Sequence, residues 1–196
     1  MARVVVLLAE GFEEIEAITP IDYLRRADVQ VETVAVPVGG KADPLVIGAH
    51  KIPVKADMTF DELAMREGDL PDGVFIPGGM PGAANVASCE LALDFIKQMF
   101  AQKKLVAAIC AAPVVVLAKT GVLAGKNYTC YPGMKISEND KLTAGATLVA
   151  DQPFVVDQNL ITGRGPGAAE QFAMALVEYL CGKESAQKIK AASVQR

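Results

Sequence analysis

The sequence predicts an α/β fold: a doubly wound, mostly parallel sheet flanked by helices on both faces. Strand-like and helix-like patterns alternate along the whole chain, as they do in successive βαβ units. The segments at residues 4–9 and 105–109 are continuously apolar, which is typical of strands that are covered on both faces. The helix-like segments repeat apolar residues at spacings of three and four, so each has one apolar face.

The first half of the chain contains three predicted strands and a loop excursion. Ile15, Ile18, Ile21 and Leu24 form the apolar stripe of a predicted helix that ends near two arginines. Gly and Pro are frequent at residues 37–57, which predicts a loop or hairpin excursion at one edge. The predicted strands are residues 4–9, 29–36 and 74–77, with a β-type stretch at 51–54 and a short helix at 60–66.

The second half continues the alternation. Ser88 is a predicted helix N-cap, and Gly182 is a predicted C′ residue that closes the last helix. We predict helices at residues 90–102, 112–119 and 168–180, strands at 105–109 and 128–130, and a hairpin of 154–157 with 160–162. No internal repeat or linker interrupts the chain, so we expect a single domain over residues 1–196.

The composition argues against several classes of function. The net charge is −4, no Lys/Arg stripe is present and there is no Trp, so nothing indicates nucleic-acid binding. No apolar run reaches the ~18 residues that span a bilayer. The apolar segment that begins the chain leads into acidic residues rather than a cleavage site. We therefore expect a cytoplasmic protein that contacts neither membranes nor nucleic acid.

The cysteine and histidine content predicts free thiols and no metal. Cys89, Cys110, Cys130 and Cys181 are widely separated and lack the paired spacings of a zinc site. In a cytosolic chain they are expected to be reduced. The only histidine, His50, has no cysteine near it in sequence, so its simplest interpretation is an exposed side chain. We expect no metal and no cofactor.

Three segments with unusual chemistry follow predicted strands: residues 10–16, residues 78–79 and Cys110. In open α/β sheets, functional sites form beyond the carboxyl ends of the strands. Small residues on both sides of Cys110 suit a sharp strand-to-helix turn, although the Gly-x-Ser-x-Gly pattern of a nucleophile elbow is absent. The start of the next helix is predicted to lower the pKa of this thiol. The alternative is that Cys110 is a small buried hydrophobe.

Acidic and glycine residues at the other two strand ends have two interpretations each. Glu13, Glu14 and Glu16 provide favourable charge at a helix start. If Glu16 instead points inward beside a thiolate, burial and like charge would keep its carboxyl protonated as a donor to sulfur. Gly78 and Gly79 form either a simple turn or a source of backbone N–H groups for an oxyanion.

A glycine-rich loop precedes the predicted C-terminal helix. Residues 163–167 read Gly-Arg-Gly-Pro-Gly and form a helix entry, an anion site or a contact surface. Pro166 interrupts any Gly-x-Gly-x-x-Gly pattern, so this is not a nucleotide loop.

Four motifs in this order closely resemble the ThiJ/PfpI superfamily, in particular its parkinsonism-associated (YajL) branch. They are Ala-Glu-Gly-Phe-Glu-Glu-Ile-Glu at 9–16, Pro-Gly-Gly at 77–79, Ala-Ala-Ile-Cys-Ala-Ala-Pro at 107–113 and Arg-Gly-Pro-Gly at 164–167. The resemblance implies a flavodoxin-like fold and a homodimer. It also implies that Cys110 is the nucleophilic, oxidation-sensitive cysteine and that Glu16 is the buried acid hydrogen-bonded to it. The N–H groups of Gly79 and Ala111 would form the oxyanion pocket.

The resemblance further implies that Gly78, His50, Tyr131, Arg164 and Pro166 lie at the substrate-binding site. Tyr131 stands where relatives that act on glyoxals often carry a histidine, and His50 stands where they tend to carry an arginine. Base catalysis would then depend on Glu16 unless His50 reaches the site across a dimer interface.

The residue after Cys110 argues against two other enzyme classes. Protease-like relatives have a histidine at the position of Ala111, and a glutamine amidotransferase needs a Cys–His pair.

Two functions therefore compete. In the first, the protein is a glutathione-independent glyoxalase or deglycase, in which the Cys110 thiolate adds to a reactive dicarbonyl and Glu16 moves the proton. In the second, it is a redox sensor or stress chaperone in which Cys110 is oxidised to a sulfinic acid. A non-catalytic binding module would leave the pairing of Glu16 with Cys110 without a purpose.

Overall fold

The computed structural model describes residues 1–40, 42–66, 68, 70–137 and 140–195. Strands and helices alternate through most of this chain. They are β1 (Arg3–Leu8), α1 (Glu14–Arg26), β2 (Gln30–Ala35), β3 (Leu45–Ile47), β4 (Pro53–Lys55), β5 (Met58–Thr59), α2 (Phe60–Ala64), β6 (Gly73–Ile76), α3 (Gly82–Val86), α4 (Glu90–Ala101), β7 (Leu105–Ile109), α5 (Ala112–Val115), β8 (Asn127–Tyr128), β9 (Thr147–Leu148), β10 (Phe154–Asp157), β11 (Leu160–Gly163), α6 (Ala169–Cys181) and α7 (Lys183–Ala192).

The main sheet has seven strands among the described residues, in the order β10-β11-β7-β6-β1-β2-β5. All neighbouring pairs are parallel except β10 with β11, which form the predicted hairpin. Helices cover both faces, so the predicted doubly wound, flavodoxin-like α/β fold is confirmed.

Two apolar cores lie on opposite faces of the sheet because side chains alternate along each strand. Val4, Val6 and Leu8 of β1 face the core that includes α1 and α6. Val5 and Leu7 face the core that includes α4. Each fully buried side chain of this size contributes roughly 1.5–3 kcal/mol to folding. The central strands are therefore a rigid base for the loops at their carboxyl ends.

The predicted excursion at residues 37–57 contains a confirmed hairpin of β3 and β4. It is fastened to the loop after β1. The Gly11 N–H donates to the Ile47 carbonyl at 2.8 Å, and the Ile47 N–H donates to the Glu10 carboxylate at 3.0 Å. This attachment brings the turn of the hairpin, with His50, against the start of α1.

The apolar stripe predicted for α1 is only partly buried. Ile21 and Leu24 pack in the core, whereas Ile15 and Ile18 are 54% and 43% exposed. The inward face of α1 is instead completed by small or polar residues, including Glu16 and Ala17. An apolar spacing cannot distinguish a core contact from a surface used for another purpose.

Three local predictions are corrected. The Ser88 hydroxyl donates to the Ala84 carbonyl and does not cap α4, whose N-terminal flanking residue is Cys89. The predicted helix at 112–119 is one α-helical turn, α5, followed by a 3-10 turn at Leu117–Lys119. The helix that Gly182 closes is not the last, because α7 follows directly.

Among the described residues, we find no helix with the length and apolar character that a bilayer crossing requires.

Candidate active site

The loops after β1, β6 and β7 meet at one end of the sheet, as predicted. β6 lies between β1 and β7 and is parallel to both, so the three carboxyl ends are side by side. Glu16 comes from the first turn of α1, Gly78 and Gly79 follow β6, and Cys110 follows β7. The chain therefore brings these four residues together from separate parts of the sequence.

Cys110 occupies the sharp turn predicted for it. Its φ angle is 64°, in the left-handed region that costs a residue with a side chain roughly 1–2 kcal/mol. The end of β11 and the loop after β8 hold this backbone on its two sides. The Cys110 N–H donates to the Gly163 carbonyl, and the Cys110 carbonyl accepts from the Tyr131 N–H, each at 2.9 Å. The thiol is consequently presented in one orientation, half-buried at the sheet end.

Glu16 points inward, as the functional interpretation predicts. Its side chain is fully buried, and its Oε2 accepts the Gly78 N–H at 2.9 Å. The Cys110 thiol is the second hydrogen-bond partner of the carboxyl. Among the described residues, Oε1 has no conventional N–H or O–H donor. That oxygen is therefore available to carry a proton.

Two backbone N–H groups converge on the sulfur of Cys110. They belong to Gly79 and Ala111 and act as hydrogen-bond donors to the thiol sulfur. Gly79 has a φ of 87°, and a side chain there would collide with the backbone of Glu13 and Gly11. Paired N–H groups of this kind stabilise negative charge on sulfur or on an oxygen bonded to a neighbouring carbon.

Burial dominates the acid–base properties of the pair. Burial raises the pKa of Glu16 to about 7, although hydrogen bonds from Cys110 and Gly78 oppose the increase. Burial, together with the charge of Glu16 and the hydrogen bond to it, raises the pKa of Cys110 to about 12. A carboxyl with a pKa about 7 is suited to accept and return a proton near neutral pH.

The lowered pKa predicted for Cys110 is therefore wrong, because burial, more than the charge of Glu16, raises the pKa of this thiol. The helix invoked for it, α5, has only four residues and so supplies little of the dipole of a full helix. Burial and a neighbouring carboxylate both disfavour a thiolate, and they outweigh the N–H donors of Gly79 and Ala111.

Of three further predicted residues, Tyr131 contacts the Cys110 turn through its N–H, Arg164 directly follows Gly163, and Pro166 lies two residues further along the chain. Tyr131 is about half exposed, and its ring packs over Gly165, where an added Cβ would lie 3.5 Å from Cδ2. Arg164 follows β11, and its N–H donates to the Pro153 carbonyl at 3.0 Å. Pro166 begins the 3-10 turn that leads into α6. Their contact with a substrate remains a prediction.

His50 does not contact Glu16 or Cys110 directly; it contacts the neighbouring Glu13 and Glu14. Its Nδ1 is 3.0 Å from Glu14 Oε2 and 3.3 Å from Glu13 Oε2. The His50 and Ile52 N–H groups also donate to Glu14. These three side chains are the one cluster of potential metal ligands in the described chain. The hydrogen bonds account for their proximity without a metal.

Sequence reasoning did not identify Glu14 as the anchor of the hairpin. Glu14 and His50 are 36 residues apart, and no local pattern joins a helix start to a distant turn. It also missed Asn85 of α3, whose side-chain amide donates to the Glu10 carbonyl at 2.7 Å and fixes the loop after β1.

The fold is that of one class of α/β protein. Residues 2–179 match the model of the DJ-1/PfpI family, and the chain belongs to this family. It is 40% identical to Protein dj-1beta of Drosophila melanogaster over 184 residues, 94% of this chain and 92% of that one.

Two other relatives inform the comparison. Glutathione-independent glyoxalase DJ-1 of Schizosaccharomyces pombe is 29% identical over 187 residues, 94% of each chain. The crystal structure of a mutant DJ-1 superfamily protein from Salmonella typhimurium superposes with a TM-score of 0.87 at 34% identity and covers 100% of both chains.

Proposed function

We propose that this protein converts small reactive dicarbonyls such as methylglyoxal into hydroxy acids without glutathione. Cys110 is the nucleophile and Glu16 is the acid–base group. The observation that carries the proposal is the buried contact between the Glu16 carboxyl and the Cys110 thiol. The relative from Schizosaccharomyces pombe that is named a glutathione-independent glyoxalase supports the class of reaction.

In the first step, the Glu16 carboxylate takes the thiol proton as the Cys110 sulfur bonds to the aldehyde carbon. This transfer supplies the thiolate that a raised thiol pKa would otherwise withhold. The aldehyde oxygen becomes an oxyanion, held by the N–H groups of Gly79 and Ala111. Protonation of the oxyanion by Glu16 gives a hemithioacetal and restores the carboxylate.

In the second step, Glu16 removes the hydrogen of the former aldehyde carbon as a proton and returns it to the adjacent ketone carbon. Through an enediol intermediate, the proton of the hemithioacetal hydroxyl passes to the former ketone oxygen. The aldehyde carbon loses the two electrons that the ketone carbon gains, so no external oxidant is needed. Water then cleaves the thioester, which releases lactate and the Cys110 thiol. Adducts that release dicarbonyls would enter the same path, which is deglycase-type chemistry.

The test is lactate formation from methylglyoxal in the absence of glutathione. The wild type is compared with Cys110→Ala, and Cys89→Ser serves as the matched control because Cys89 is a half-buried cysteine at the start of α4. The wild type and Cys89→Ser should form lactate, whereas Cys110→Ala should not exceed the protein-free blank. No lactate from the wild type, or equal amounts from Cys110→Ala, would overturn the proposal.

A second candidate is a redox sensor or chaperone. It is favoured by the two N–H donors that face the Cys110 sulfur, since they also suit sulfinate oxygens. Two molecules of peroxide would oxidise the thiol to a sulfinic acid and be reduced to water. Mass spectrometry of the Cys110 peptide after peroxide treatment, with no lactate formed from methylglyoxal, would favour this candidate.

We also propose a homodimer built on the exposed apolar residues of α1 and the hairpin: Ile15, Ile18, Leu45 and Ile52. Single exposed apolar residues are ordinary on a surface, but several on two elements that contact each other suit a protein interface. All four cysteines are free, which fits the cytoplasmic location expected from the sequence.

A further inference from the structure

Glu13 connects the exposed His50 to the buried Glu16. Glu13 is the residue that precedes α1, and its own side chain is largely buried, with Oε2 at 3.3 Å from His50 Nδ1. The Glu13 N–H donates to the Gly78 carbonyl at 3.0 Å, and the Gly78 N–H donates to Glu16 at 2.9 Å. Gly78 is thus bonded to Glu13 through its carbonyl and to Glu16 through its N–H.

Few charged groups face Glu16 in the described part of the chain. Glu13 faces it from the same helix start, and Cys110 faces it from the turn after β7. The loop after β6 contributes the backbone of Gly78. From α6, which packs along α1, Glu170 accepts a hydrogen bond from the Tyr23 hydroxyl, two turns further along α1. Glu13 is therefore the charge that acts on Glu16 from outside the catalytic pair.

His50 in turn faces two carboxylates at the start of α1. Glu13 and Glu14 both contact its Nδ1, and Lys51 follows it in the hairpin turn. The imidazole is 70% exposed while the carboxyl groups beneath it are 11% and 7% exposed. In the single chain, solvent can therefore protonate His50, and the change in charge acts on groups that water screens poorly.

We propose that Glu13 and His50 are positioning residues for the Glu16 proton. The charge on His50 determines how strongly Glu13 repels the Glu16 carboxylate, and so the pH at which Glu16 is free to take the proton of Cys110. This inference rests on the proposed acid–base role of Glu16, and it adds a control of that role from the protein surface.

The direction of the effect follows from the charges. Glu13 raises the pKa of Glu16, in addition to the larger effect of burial. The pKa of His50 is itself raised above 6.5 by its hydrogen bond to Glu14 and by the charges of Glu13 and Glu14. Below that pKa, His50 is positive and offsets Glu13, so Glu16 ionises more readily. Above it the offset is lost and Glu16 holds its proton to higher pH.

The test is the titration of the Glu16 carboxyl carbon by NMR in the full-length protein labelled with [13C]glutamate. The Glu16 signal is assigned by its absence in Glu16→Gln. Four variants are compared with the wild type: His50→Gln, His50→Lys, Glu13→Gln, and Lys188→Gln as a control that removes an exposed positive charge on α7. The readout is a titration midpoint, so it does not depend on lactate formation.

His50→Gln should raise the Glu16 midpoint by about half a pH unit, and Glu13→Gln should lower it by a similar amount. His50→Lys should keep the midpoint at or below that of the wild type, because lysine stays positive throughout. Lys188→Gln should leave it unchanged. If His50→Gln and His50→Lys shift the midpoint alike, or neither shifts it, the inference is wrong and the proposed function still stands. If Glu16 titrates at an ordinary glutamate value in the wild type, both are wrong.

Discussion

The Glu16 carboxyl reaches the Cys110 thiol through a gap that Gly78 leaves open. The two residues follow β1 and β7, and β6 lies between these strands. Gly78 follows β6, and a Cβ added to it would lie 2.6 Å from Glu16 Oε2 and 2.7 Å from Cys110 Cβ. Contact between acid and thiol therefore requires glycine at position 78, for reasons of space and not of backbone conformation.

Gly78→Ala should separate the pair. We expect overpacking to cost about 1–3 kcal/mol in the free energy of unfolding, and lactate formation to fall by tenfold or more, since misplaced catalytic groups lose roughly that much. Gly167→Ala is the matched control, because an added Cβ there meets nothing within 4 Å. Chemical denaturation and the lactate assay measure both effects. Full activity in Gly78→Ala would contradict the proposed geometry.

Glu16→Gln should stabilise the protein at high pH. The folded chain binds the Glu16 proton with a pKa about 7, above the ordinary 4.5 of the unfolded chain. This tighter proton binding makes its full contribution to the free energy of unfolding below pH 4.5. The contribution is lost as the pH rises through 7. The variant should therefore gain on the order of 3 kcal/mol over the wild type at pH 8 and much less at pH 4. Urea denaturation at both pH values tests this, and equal differences would refute it.

Lactate formation should increase with pH through about 7, the pKa to which burial raises Glu16. The reason is that only the ionised carboxylate can take the thiol proton and the carbon-bound proton. Glu16→Gln should lose roughly 10²–10⁴-fold in rate, the usual contribution of a general base. Initial rates from pH 5 to 9 provide the measurement. A rate that decreases over this range would mean that a protonated Glu16 is the active form.

The proposed dimer is tested by Ile18→Lys. A lysine on the exposed face of α1 would place a charge in the interface, whereas Leu148→Lys on β9 changes an exposed leucine outside α1 and the hairpin. Light scattering should give twice the 20.6 kDa of one chain for the wild type and Leu148→Lys. Ile18→Lys should move towards a single chain. A wild type that behaves as a single chain would refute the dimer.

The sequence predicted the sheet well because its strands are buried on both faces. The runs that became β7 and all of β1 after Arg3 are continuously apolar, and at that length they favour a buried strand. Short or polar elements gave no such signal. β5 has two residues, and α7 buries only Ala186 and Ile189 along ten residues, so neither was predicted.

The site was predicted in part, and for a similar reason. The ends of parallel strands must meet, so the topology alone brought residues 10–16, Gly78 and Cys110 together. The proton affinity of Cys110 was predicted wrongly because it depends on burial and on the distance to Glu16, which no sequence pattern encodes. The contact of His50 with Glu13 and Glu14 likewise depends on how the hairpin folds back over α1.

The most direct test of the account is the pH titration of the Cys110 thiol in the wild type and in Glu16→Gln, with Cys89, Cys130 and Cys181 replaced by serine. Ultraviolet absorbance of the thiolate and the rate of alkylation both measure the fraction of Cys110 that is ionised at each pH. We expect a pKa well above that of a free thiol in the wild type, and a lower one in Glu16→Gln, because the repelling carboxylate is gone. The same pKa in both proteins would show that Glu16 and Cys110 do not act as a pair.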